Sequence, residues 1–117
     1  MFRTRLALVT LLAAALVVVA SASAATTTLN GVVGPGFNIS LKKGTTKVTR
    51  LKAGKYKIVV KDLSSIHNFH LIGPGVNVKT SVAKQGKTTF KVALKKGTYK
   101  FICDPHAAIM KGSFKVT

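Results

Sequence analysis

The chain has 117 residues, one cysteine, 19 basic against two acidic side chains, and a formal net charge of +17. That length holds one domain and no more, and one cysteine leaves no internal disulfide. With only Asp62 and Asp104 as acids, the sequence offers no obvious general base for hydrolysis.

The N-terminus reads as a targeting segment. Met1-Phe2-Arg3-Thr4-Arg5 is short and basic, Leu6 to Ala20 is apolar apart from Thr10, and Ala22-Ser23-Ala24 is a small-x-small cleavage pattern. The expectation is a secretory signal peptide over residues 1–24. The apolar run is short for a retained membrane anchor. Cleavage after Ala24 would leave a domain of 93 residues, 25–117, carrying 17 basic and two acidic side chains, a charge of +15. The expected location is therefore periplasmic, extracellular or attached to the cell envelope. The expected state is a monomer. Such a charge suits a solvated surface, or attraction to an acidic protein, an anionic lipid or an envelope polymer. Nucleic acid is excluded by the export signal and by the lack of an aromatic-rich basic motif.

Beyond Ala25 no long 3.6-residue periodicity develops, because glycine or proline interrupts every stretch, and β-branched residues dominate. The predicted strands are Thr27–Val33, Phe37–Leu41, Thr46–Leu51, Lys55–Lys61, His67–Leu71, Thr88–Leu94, Thr98–Cys103 and Ser113–Thr117. Phe90, Val92 and Leu94 share one face, opposite Lys91 and Lys95. Tyr99, Phe101 and Cys103 share another, which puts the cysteine on the inner side of a strand end. Gly34-Pro35-Gly36 and Gly73-Pro74-Gly75 are breaks. The related stretches around Gly44, Gly54 and Gly97 each offer a residue for a left-handed turn entering a strand. Short strands with regular turns make an all-β sandwich or barrel.

Cys103-Asp104-Pro105-His106-Ala107-Ala108-Ile109-Met110 holds the only cysteine and the only methionine besides the initiator. An unpaired thiol outside the cytosol oxidises unless buried or ligated. A thiolate, an imidazole and a thioether on one short turn suit copper better than other common metals. A second imidazole must come from elsewhere, and His67 and His70 are the only candidates. If residues 67–70 are extended, the two point to opposite faces. Pro105 restricts the turn and removes a backbone donor near the sulfur. Asn68 can brace the cysteine loop by a hydrogen bond.

His67-Asn68, Gly97-Thr98-Tyr99-Lys100-Phe101-Ile102-Cys103-Asp104-Pro105-His106 and Met110-Lys111-Gly112 together resemble the cupredoxin family of small blue copper proteins, of plastocyanin and azurin type. The ligand order of histidine, cysteine, histidine and methionine is similar. The resemblance covers the second half of the domain in detail. It implies a Greek-key β-sandwich with one type 1 copper near one end, held by His67, Cys103, His106 and Met110, with Asn68 as the brace. It implies a one-electron carrier with a redox partner protein, not an enzyme, and the lysines point to an acidic partner. Asn68 directly follows His67, which favours His67 over His70. His70 is then an outward surface histidine or part of a weaker copper-acquiring site. Copper storage, buffering or delivery without electron transfer is the second reading. A zinc hydrolase and a cysteine-nucleophile enzyme are weaker ones.

Overall fold

A computed structural model describes residues 12–18 and 25–117. The expected signal peptide lies largely outside the described residues. Within it, Leu12, Leu16, Val17 and Val18 are exposed and take no part in the core.

Two five-stranded sheets face each other. The first contains β1 (Thr27–Val33), β2 (Ile39–Lys43), β3 (Thr46–Lys47), β5 (Gly54–Asp62) and β8 (Gly86–Leu94), in the order β3-β2-β1-β5-β8. The second contains β4 (Arg50–Leu51), β6 (His70–Gly73), β7 (Val76–Lys79), β9 (Gly97–Ile102) and β10 (Lys111–Val116), in the order β4-β10-β9-β6-β7. The chain crosses repeatedly between the sheets, as the expected sandwich requires. Strand alternation builds the core. Leu29 and Val33 of β1, Ile58 and Val60 of β5, and Tyr99 and Phe101 of β9 point inward, while Lys57 and Lys61 of β5 and Lys100 of β9 point out. Phe69 stacks on Phe101 with ring centroids 5.7 Å apart, and Tyr99 on Phe114 at 5.3 Å. Each such pair adds about 0.5–1.5 kcal/mol beyond its buried area. Gly112 lies opposite Phe101 in the β9–β10 register, and a Cβ there would collide with the phenylalanine ring.

Four elements differ from expectation. The span Thr46–Leu51 is split, because β3 and β4 belong to different sheets and Val48 between them is buried. The strand expected from His67 begins only at His70. The backbone of Asn68 and Phe69 is occupied elsewhere: the Asn68 N–H donates to Cys103 Sγ at 3.5 Å and the Phe69 N–H to Thr80 Oγ1 at 2.9 Å. The sequence shows no helix after Ala25, yet residues Asp104–His106 form one 3-10 turn, with Pro105 in its first turn where a missing N–H costs nothing. β7, which lacks clear alternation, is an edge strand paired only with β6.

Candidate metal centre

Cys103 follows the last residue of β9, and strand alternation aims its thiol inward beyond Phe101. The turn after it is closed by backbone bonds. The His106 N–H donates to the Cys103 carbonyl at 3.0 Å, the Met110 N–H to the His106 carbonyl at 2.8 Å, and the Cys103 N–H to the Met110 carbonyl at 3.0 Å. The three residues are thus locked to one another before any metal is considered. Met110 is fully buried.

His67 arrives on a different loop, between β5 and β6. The Ser64 N–H donates to Asp62 Oδ1 at 3.0 Å, and the Ile66 N–H to the Ser64 hydroxyl at 3.2 Å. Gly34 makes room for this approach: a Cβ there would lie 3.0 Å from Ser64 Cβ and 3.2 Å from His67 Cδ2. Burial pushes the Asp62 carboxyl up, against the bond from Ser64 and the charge of His67, which lower it.

Ligand atoms of His67, Cys103 and His106 all lie within 4.8 Å of one another. His67 Nδ1 is 3.7 Å and His106 Nδ1 3.6 Å from Cys103 Sγ, and the two nitrogens are 3.1 Å apart. The point equidistant from these three atoms is about 2.0 Å from each, within the usual metal–nitrogen and metal–sulfur range of about 2.0–2.3 Å. His67 and Cys103 are fully buried, so solvent does not compete for their ligand atoms, whereas His106 is only half-buried. One thiolate, two imidazoles and a buried thioether on the same loop form the donor set of a type 1 copper site. Copper is the cofactor that these residues fit.

The Asn68 side chain ties the two loops together. Asn68 Nδ2 donates to Asp104 Oδ2 at 2.7 Å, and the Asp104 N–H returns a bond to Asn68 Oδ1 at 2.7 Å. His70, expected as an outward surface histidine or part of a weaker copper-acquiring site, is largely buried and hydrogen-bonded at both ring nitrogens. Its Nδ1 lies 2.7 Å from Asp104 Oδ1 and its Nε2 2.6 Å from Asn77 Oδ1. It takes no part in the three-residue cluster, the only grouping of its kind among the described residues. Burial acts to raise the Asp104 carboxyl, but the bonds from His70 and Asn68 and the charges of His70 and Lys79 prevail and hold it below its ordinary value.

Phe37 was legible only as a strand residue. It lies just before β2, 58% exposed, with its ring edge-on to both imidazoles, at centroid distances of 5.2 Å to His67 and 4.9 Å to His106. The break Gly34-Pro35-Gly36 leads through Phe37 into the His106 end. Gly73-Pro74-Gly75 does not: Pro74 packs against Gly97, at the end of β9 opposite Cys103.

The cupredoxin-like domain family matches residues 8–116. The chain belongs to the cupredoxin family. Among solved structures it is similar to reduced rusticyanin, with 22% identity over 82% of each chain and a TM-score of 0.59. It is also similar to the copper protein rusticyanin determined from anomalous scattering, with 22% identity over 81% of this chain and 80% of the other and a TM-score of 0.61. For rusticyanin from Thiobacillus ferrooxidans the values are 24% identity, 81% and 79% coverage, and a TM-score of 0.52. No curated protein matches the sequence.

Proposed function

We propose that this protein is an exported blue copper protein that carries one electron at a time, with His67, Cys103, His106 and Met110 as ligands. The observation that carries the reading is the convergence of two Nδ1 atoms on one buried Sγ at 3.6–3.7 Å. Copper, when bound, supplies the Cu(I)/Cu(II) couple. The chain supplies rigidity. Cys103, His106 and Met110 are tied by backbone bonds, and Asn68 with Asp104 fastens the loop of His67 to them. A donor set that does not move between redox states suits rapid electron transfer. The Asn68 N–H directed at Sγ withdraws charge from the sulfur. Pro105 contributes no competing N–H.

His106 is the route to the surface, since it is the one cluster member not fully buried. Phe37, Ile66 and Ile109 are exposed large apolar residues on the loops around it. This end forms a small apolar contact for a partner, with Ala107 and Ala108 beside it, and the lysines steer an acidic redox protein onto it. The same charge would hold the protein near an anionic envelope surface. Neither role requires a substrate pocket.

Cyclic voltammetry of the copper-loaded protein tests the carrier role. A reversible one-electron wave with no loss of metal over repeated cycles is expected. Release of copper on reduction, or transfer of Cu(I) to an acceptor chelator without a reversible wave, would instead establish storage or delivery. Met110→Leu should keep the colour and raise the potential, because the thioether that favours Cu(II) is gone.

A further inference from the structure

Building on the copper reading above, we infer that His70 is a positioning residue for the Cys103 loop, acting through Asp104. The sequence gives His70 no such role, since it lies three residues beyond His67 and outside the ligand motif. The structure places it at the start of β6, paired in register with Ile102, the residue before Cys103.

Its two ring nitrogens face two oxygens. Nδ1 is 2.7 Å from Asp104 Oδ1, and Nε2 is 2.6 Å from Asn77 Oδ1 on β7. The Asp104 carboxylate oxygen can only accept, so Nδ1 donates to it, while the Asn77 side chain holds the other ring nitrogen. The second carboxylate oxygen of Asp104 accepts from Asn68 Nδ2, the Asp104 N–H donates back to Asn68 Oδ1, and the Asn68 N–H reaches Cys103 Sγ. An unbroken hydrogen-bonded line thus runs Asn77, His70, Asp104, Asn68, Sγ, from the edge strand to the sulfur.

The Asp104 side chain is 37% exposed and that of His70 14%. A carboxylate so exposed can turn to solvent, and an ordinary surface ion pair would do little to prevent it. Here the pair is fixed at both ends. Asn77 holds the far side of the imidazole, and two bonds to Asn68 hold the far side of Asp104. His70 aligns the carboxylate so that its other oxygen meets Asn68, and Asn68 in turn keeps its N–H on the sulfur.

The test uses His70→Gln and His70→Phe, each alone and combined with Asp104→Asn. In metal-free protein, hydrogen exchange of the Asn68 side-chain amide is followed by NMR. In copper-loaded protein, the visible band and the reduction potential are followed. Either His70 change should speed Asn68 amide exchange by roughly tenfold, the order expected for losing a bond to a charged group, and should move the band and the potential. In the Asp104→Asn background, the same changes should add little. Should His70→Phe fail to fold, His70→Gln carries the test. Unmoved Asn68 exchange, or equal shifts with and without Asp104, would overturn the proposal. A normal Asn68 response in a protein that never turns blue would uphold the positioning role and reject the copper reading.

Discussion

At the donor end of the sandwich, both acidic side chains of the chain hold donor loops in place, Asp62 from the last residue of β5 and Asp104 from the turn after Cys103. Asp62 receives the Ser64 N–H ahead of His67, and Asp104 joins His70 to Asn68 beside Cys103. The outer face of the first sheet is the opposite case. Lys42, Lys47, Lys55, Lys57, Lys61, Lys87 and Lys91 are exposed there, and the register sets Lys42 against Lys47, Lys57 against Lys91 and Lys61 against Lys87. Like charges directly opposite one another destabilise a sheet. A single acid in any of these pairs would turn repulsion into attraction, yet Asp62, the residue after Lys61, is buried, and Asp104 lies in the Cys103 loop. The contrast teaches that this protein uses its scarce negative charge to position donor loops and leaves its sheet face uniformly positive.

The largest effect expected from breaking that contrast is at Asp104. Asp104→Ala removes the closer of two acceptors for the buried Asn68 amide, leaving the Thr80 carbonyl at 3.3 Å, and removes the partner of His70 Nδ1; it should cost about 2–3 kcal/mol. For a domain of this size, thermal unfolding should then come roughly 8–24 °C earlier.

The two acids should also respond oppositely to pH in metal-free protein. The Asp104 carboxyl is held below its ordinary 3.8, so its stabilising contribution is complete above that value and is lost as pH falls through the lower folded value. The Asp62 carboxyl is raised above 3.8, because burial outweighs its bond to Ser64. Its contribution is therefore complete below 3.8 and is lost as pH rises through the higher folded value. One of its oxygens, Oδ2, is buried without a partner. At neutral pH, Asp62→Asn should raise the melting temperature and Asp104→Asn should lower it. Shifts of the same sign would mean that one of the two environments has been misjudged.

The smallest effect belongs to the lysine face. Lys57→Gln or Lys61→Gln should raise stability by about 0.2–1 kcal/mol through relief of cross-strand repulsion. It should also slow electron transfer to an acidic redox protein at low salt, with the difference fading as salt screens the charges over a Debye length of about 8 Å at physiological strength. A rate indifferent to salt would leave the lysines without a steering role.

The sequence revealed the strands that alternate and the loop whose donors are crowded together. β1, β5, β8, β9 and β10 are continuous patterns with one apolar face, so period alone locates them within a few residues. Cys103, His106 and Met110 announce themselves because a soft donor set on one turn has few other uses. The His67 loop has the sequence pattern of a strand because its apolar and polar residues alternate, while its backbone donors go to a sulfur and a hydroxyl that lie 35 and 11 residues away. Phe37 and the His70–Asp104–Asn77 contacts depend on which loops fold side by side. No local pattern encodes that.

The central claim is that two imidazoles and one thiolate meet at a single copper. Titration of the metal-free protein with Cu(II) while recording the visible spectrum tests it most directly. The account predicts an intense blue band that saturates at one copper per chain and is absent from Cys103→Ser. A colourless endpoint, or a band that survives Cys103→Ser, would contradict it.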